Sequence, residues 1–165
     1  MRVRVSGITE ESFSDGPGIR FVVFAQGCNH RCPGCHNPQT HSFEGGMLLS
    51  AEEILARMSA NPLLDGITLS GGEPFEQAEG FGMLAQEARK QGYDVVTYTG
   101  YRYEEIIEGL DGRKWWRLLL RSTHILVDGR FELALKNELL PFRGSSNQRV
   151  IDVDESLREG RVCCF

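Results

Sequence analysis

Short β-type runs alternate along this chain with stretches of helical period, and few folds accept such an alternation. Gly18–Ala25 carries Ile19, Phe21, Val22, Val23 and Phe24, nearly continuous in apolar character, as a strand covered on both faces should be. Ser50 and Glu53 have the spacing of a capping box. They predict a helix with Ile54, Leu55 and Met58 on one face, stopped by Asn61-Pro62. Gly66–Ser70 reads as the next strand. Phe81, Leu84, Ala85 and Ala88 then fall at i, i+3, i+4 and i+7, one stripe of a helix ended by Gly92. Asp94–Tyr98 is a further strand, Tyr103–Leu120 a helical stretch broken near Gly109–Gly112, and His124–Val127 and Gln148–Val153 the last two strands. Strand–helix alternation of this kind predicts parallel βαβ units. At 165 residues the chain is expected to form one domain, residues 1–165, that buries roughly 70% of its unfolded surface without disulfide staples.

In parallel α/β folds ligands gather beyond the carboxyl ends of the strands. Gln26–Thr40, Ser70–Pro74, Thr99–Tyr101 and Asp128–Phe131 each follow a predicted strand, so these four loops should share one rim and outline one site.

The first of these loops reads Cys28-Asn29-His30-Arg31-Cys32-Pro33-Gly34-Cys35-His36-Asn37. Pro33 and Gly34 favour a tight turn that brings three thiolates toward one centre. Two metal readings follow. A cubane cluster offers four irons, and three local cysteines leave one of them open for a substrate. Structural zinc would instead take His36 or His30 as a fourth ligand. A disulfide with one free thiol is disfavoured in a reducing compartment, and five cysteines cannot all pair. The N-terminal Met1–Ser6 lacks the apolar core of a signal peptide, and no apolar run approaches the ~18 residues of a spanning helix. A cytoplasmic protein without membrane contact is the expectation. The net charge of −5 provides no basic footprint for nucleic acid. Cys163 and Cys164 close the chain, where a mobile end with no role is expected.

The cysteine loop resembles the motif of the radical S-adenosylmethionine enzymes. Asp15-Gly16-Pro17-Gly18-Ile19-Arg20 ahead of it and Cys35-His36-Asn37-Pro38-Gln39-Thr40 within it narrow the likeness to the activating enzymes of glycyl radical enzymes. Thr68-Leu69-Ser70-Gly71-Gly72-Glu73-Pro74, Tyr98-Thr99-Gly100-Tyr101, Val127-Asp128-Gly129-Arg130-Phe131 and Arg143-Gly144-Ser145-Ser146-Asn147-Gln148 continue it, from about Val5 to Asp152.

The resemblance implies a partial (β/α) barrel of parallel strands, of radical S-adenosylmethionine type, with roughly five core strands against the eight of a closed barrel. It implies a [4Fe-4S] cluster on Cys28, Cys32 and Cys35 as metal ligands. It implies S-adenosylmethionine bound by Gly34, Cys35, His36, Asn37, Gly71, Gly72, Glu73 and Asp128, with Glu73 and its glycines around the methionine amino group. No catalytic residue is expected beyond cluster and cofactor. Reductive cleavage would yield a 5′-deoxyadenosyl radical that takes hydrogen from a partner's glycine.

The Arg143–Gln148 run and the short length favour anaerobic ribonucleoside-triphosphate reductase as that partner, with flavodoxin or ferredoxin as the class of electron donor. Pyruvate formate-lyase is the alternative partner. A small-molecule radical enzyme such as a deazapurine synthase would need more anchoring residues than can be identified. A zinc-stabilised binding module is the reading outside enzymes.

Overall fold

The computed structural model describes all 165 residues and contains one seven-stranded sheet. In chain order the elements are β1 (Arg2–Ser12), β2 (Arg20–Ala25), β3 (Met47–Ser50), α1 (Ala51–Ser59), β4 (Gly66–Gly71) and α2 (Ala78–Lys90). They continue with β5 (Asp94–Tyr98), α3 (Tyr103–Gly109), α4 (Trp116–Ser122), β6 (Ile125–Asp128), β7 (Arg149–Asp152) and α5 (Val153–Glu159). The strand order is β3-β1-β2-β4-β5-β6-β7. No helix is long and apolar enough to cross a membrane.

The centre of the sheet matches the expected βαβ pattern. β2, β4, β5 and β6 run parallel, in the registers Val22↔Thr68, Thr68↔Val96 and Val96↔Ile125. The edges correct the expectation of a wholly parallel sheet. β1 pairs antiparallel with β2 on one side and with β3 on the other, and β7 pairs antiparallel with β6. Neither β1 nor β3 stands out in the sequence. The second half of β1 faces solvent and reads as polar, because β3 covers only Arg2–Val5 and an antiparallel strand can leave one face to water. β7 was expected from composition, but its direction is set by the long return from β6, which brings the chain back alongside it in the opposite sense.

The two faces of the central strands do different jobs. Phe21 and Val23 of β2, Ile67 and Leu69 of β4 and Val95 of β5 join Ile54, Met58, Phe81, Leu84, Leu119 and Leu120 of the helices in one core of 28 buried residues. Each such side chain, fully buried, contributes about 1.5–3 kcal/mol. α1 begins where expected: Ser50 Oγ accepts from the Glu53 amide, and the Glu53 carboxylate accepts from the Ser50 amide. Residues of alternate parity point the other way, since side chains alternate across a strand. On that second face Arg20, fully buried, donates to Thr68 Oγ1 and to the carbonyls of Ile67 and Pro17, and pairs with Asp94. Thr68 in turn donates to the Asp15 carbonyl. These contacts hold the Ser14–Gly18 segment against that face of the sheet.

The C-terminus corrects the expectation of a mobile end. After α5 the chain turns back along β7: the Asp152 amide donates to the Cys163 carbonyl, the Phe165 amide to the Val150 carbonyl, and Cys164 bridges Ile151.

Candidate iron–sulfur site

The segments that follow β2, β4, β5 and β6 meet at one end of the sheet, around a cavity of about 590 Å³. Its lining includes Cys28, Cys32, Cys35, His36 and Asn37 from the first, Ser70, Gly71 and Gly72 from the second, Thr99 and Gly100 from the third, and Gly129 and Phe131 from the fourth. The four loops expected on one rim are therefore brought together. All three thiols are free, Cys28 being buried and the other two half-buried.

The cysteine loop is held from outside. Gly27 and Cys28 donate their amides to the carbonyls of Thr40 and His41, and the Gly27 carbonyl accepts from the Glu73 amide. This last contact brings the turn after β4 against the cysteine loop. A Cβ on Gly72 would lie 2.3 Å from the Gly27 carbonyl oxygen, so only glycine permits the approach. Arg31 adopts φ +50°, left-handed for a residue with a side chain.

Backbone amides act on each sulfur. Those of His30 and Arg31 act on Cys28, that of Phe131 on Cys32, and that of Asn37 donates to Cys35 Sγ at 3.4 Å. Burial still dominates at Cys28, whose thiol is pushed up to about 11, and burial likewise raises Cys32. Amide donors aimed at sulfur are one of the means by which proteins hold iron–sulfur clusters, and the metal itself would drive deprotonation.

The donor set fits a cluster better than zinc. His30 Nε2 is committed to Glu73 Oε2 at 2.6 Å, and the His36 ring rests on Phe131 with centroids 5.2 Å apart. No three His, Cys, Asp or Glu side chains close round a single-ion position, whereas a cubane accepts thiolates spread over its corners. Cys163 and Cys164 lie against α5 and β7 and do not line the cavity.

Three residues anticipated at the cofactor are not part of the cavity lining. Glu73 is fully buried and outside the lining; its carboxylate accepts from His30, from Thr99 Oγ1 at 2.9 and 3.0 Å, and from the amides of Gly100 (2.8 Å) and Phe75 (3.0 Å). Asp128, also fully buried, accepts from the Tyr103 amide and from Arg149, which grips Glu104 as well. That trio ties β6, β7 and α3 together; it raises the Arg149 guanidinium and lowers the Glu104 carboxyl through their shared hydrogen bonds. Gly34 sits at φ +76° facing Leu133 and Phe131.

Other lining residues escaped the sequence reading. Glu138, Leu139, Leu140, Pro141 and Phe142 reach the cavity from the segment between β6 and β7, with Leu139 93% exposed at its edge and the Phe142 carbonyl accepting from Tyr98 Oη at 2.6 Å. Nothing periodic marks that segment. His41 and Arg143 also line the cavity, and each carries a buried nitrogen without a partner, His41 Nε2 and Arg143 Nε. A polar ligand would satisfy both.

Residues 14–151 match the family described as a 4Fe-4S single cluster domain. The anaerobic ribonucleoside-triphosphate reductase-activating protein of Enterobacteria phage T4 is 33% identical over 144 residues, 84% of this chain and 86% of that protein. The protein of the same name in Escherichia coli strain K12 is 34% identical over 146 residues, 82% of this chain and 90% of its own. The pyruvate formate-lyase-activating enzyme of Clostridium pasteurianum is 38% identical over 135 residues, but these cover only 55% of that enzyme. The chain thus belongs to the 4Fe-4S single-cluster family, together with the anaerobic ribonucleoside-triphosphate reductase-activating proteins.

Proposed function

We propose that this protein is the activating enzyme of an anaerobic ribonucleoside-triphosphate reductase, in which it generates a glycyl radical. The observation that carries the reading is the meeting of three free thiols with a double-glycine turn in one cavity at the ends of four parallel strands. Cys28, Cys32 and Cys35 would hold a [4Fe-4S] cluster, which leaves its fourth iron without a protein thiolate. The chemistry that the cluster supplies is one-electron reduction of S-adenosylmethionine, which leaves methionine and a 5′-deoxyadenosyl radical able to take hydrogen from a glycine α-carbon.

The chain's own residues bind and orient. Gly71 and Gly72 expose backbone beside the cysteine loop, where an ammonium with three donors suits carbonyl acceptors. The unpartnered Arg143 Nε and His41 Nε2 offer donors to a carboxylate or ribose. His36 and Asn37 line the same wall. Holding the reactants in one geometry lowers barriers by about 7–11 kcal/mol in favourable cases. The parallel centre of the sheet, with its helical core on one face and its site on the rim, supports the reading of a partial (β/α) barrel. The exposed Leu139, with Leu140, Pro141 and Phe142 at the mouth, suits a protein substrate. The electron would come from a small redox protein of the flavodoxin or ferredoxin class.

A pyruvate formate-lyase partner is the second reading, supported by the likeness to the Clostridium enzyme. Relatives matched over 86% and 90% of their own length favour the reductase. Both readings are tested by mixing reduced, cluster-loaded protein, S-adenosylmethionine and each glycyl radical protein without oxygen. A glycyl doublet in the electron paramagnetic resonance spectrum is expected with the reductase. Cleavage to 5′-deoxyadenosine with no doublet on the reductase would remove that partner. Replacing Cys28, Cys32 or Cys35 by alanine should abolish cleavage, and an active variant would overturn the ligand assignment.

A further inference from the structure

Of the three residues between Cys28 and Cys32, two are fastened by groups outside the loop. Asn29 Nδ2 donates to Tyr101 Oη at 3.1 Å, and His30 Nε2 to Glu73 Oε2 at 2.6 Å. The His30 side chain is 4% exposed and that of Glu73 is wholly buried. A carboxylate offers about four lone-pair sites, and Thr99, Gly100, Phe75 and His30 already occupy them.

We infer that Glu73 and His30 are positioning residues for the iron–sulfur site: the buried carboxylate clamps the middle of the cysteine loop to the segments after β4 and β5 and does not contact the cofactor's amino group. The inference rests on the function proposed above and concerns residues whose side chains lie behind the reacting atoms. Its logic is geometric. His30 stands two residues after Cys28 in the same loop, and its ring is gripped by Glu73. Fixing the ring therefore fixes the backbone between Cys28 and Cys32, and with it the spacing of the two thiols. Tyr101 packs edge-on against the ring, with centroids 4.6 Å apart and planes at 77°. On the other side Gly100 leaves just enough room: a Cβ there would lie 2.3 Å from His30 Cδ2. Glu73 thus joins three of the four rim segments through one group.

The clamp also sets charge. Glu73 lies near enough to Cys28 to act on it electrostatically, and a negative charge beside a cluster opposes the addition of an electron. Net charge is one of the determinants of cluster potential.

The test compares anaerobically loaded wild type with His30→Phe, His30→Gln and Glu73→Gln, with near-ultraviolet circular dichroism reporting the fold. Partners behind a metal ligand are worth about 10–100-fold in metal retention. His30→Phe keeps the ring but loses the hydrogen bond, and should surrender iron to a chelator about 10-fold faster. His30→Gln, whose amide nitrogen replaces Nε2, should restore retention to within about threefold of wild type. Glu73→Gln should raise the cluster's midpoint potential while its affinity for S-adenosylmethionine stays within about threefold.

Wild-type retention in a folded His30→Phe, or failure of His30→Gln to restore it, would overturn the clamp. So would a Glu73→Gln protein that keeps its iron and potential but loses cofactor affinity, since Glu73 would then be a ligand. Wild type that loads no iron and sulfide would instead remove the proposed function, and the inference with it.

Discussion

Gly72 shows how one hydrogen atom in place of a methyl decides the site. Its amide donates to the Ala25 carbonyl at 2.8 Å, and its α-carbon faces the carbonyls of Gly27 and Ala25. A Cβ would sit 2.3 Å from one carbonyl oxygen and 2.9 Å from the other, and neither is a flexible side-chain end. Gly72→Ala must push the turn off the cysteine loop, at a cost of about 1–3 kcal/mol as in other overpacked interiors. The expected outcome is a folded protein with unchanged far-ultraviolet circular dichroism, a lower melting temperature and markedly less bound iron per chain. Equal iron loading would show that the cysteine loop holds its shape without the turn. At this scale the sequence was informative where residue type alone limits the chemistry, as with three cysteines or adjacent glycines. It was uninformative about Glu73, because a glutamate looks the same whether its carboxylate faces a ligand or four protein donors. Asp128 is equally silent about its surroundings, since its partners Tyr103 and Arg149 are distant in sequence.

Elements were legible in proportion to how local their determinants are. α1 is written in six residues, with Ser50 and Glu53 capping and Ile54 and Leu55 facing the core. β4 and β5 are short β-branched runs that lie in the sheet centre. The direction of β7 has no such local mark, and neither does β1, whose exposed half carries Glu10 and Glu11. Junctions between elements carry their own chemistry. His124, just before β6, accepts the Val95 amide on Nδ1 at 3.0 Å, donates its own amide to the Val95 carbonyl and accepts the Val153 amide. Burial, and then the positive charge of Arg89, lower its tendency to protonate, against the smaller opposing pull of Asp154 and Asp94. A histidine lowered in the folded state binds its proton more readily when unfolded, so stability rises with pH. The contribution is complete above the unfolded value of about 6.5 and is lost as pH falls from there through the folded value. Melting temperatures should therefore decline below about pH 6.5, and His124→Asn, which keeps an acceptor for Val95, should flatten that part of the profile. An unchanged slope in the variant would assign the decline to other groups.

For the molecule as a whole, the chain separates stability from chemistry by using the two faces and two ends of one sheet. The helices bury Phe21, Ile67 and Val95 on one face, while the rim beyond β2, β4, β5 and β6 carries the thiols. Such a plan leaves two sheet edges, and an unpaired edge is a template for association. On the β7 side the last residues deal with it. The Asp152 amide and the Val150 carbonyl are satisfied by Cys163 and Phe165, Ser156 Oγ accepts the Cys163 amide at 2.8 Å, and Val162 packs on the core. The two terminal cysteines thus serve through their backbone, and their distance from the cavity predicts that Cys163→Ser and Cys164→Ser keep wild-type iron content. Deleting residues 161–165 should have a different signature. It strips partners from two backbone groups of β7, at about 1–3 kcal/mol for each group left unsatisfied, and it uncovers the edge without touching a thiol of the rim. The shortened protein should melt lower and show added self-association by sedimentation at high concentration, while still binding iron in proportion to the folded fraction. Loss of iron from a fully folded deletion variant would mean that the C-terminal strip supports the rim across the sheet, and the separation of edge from site would have to be given up.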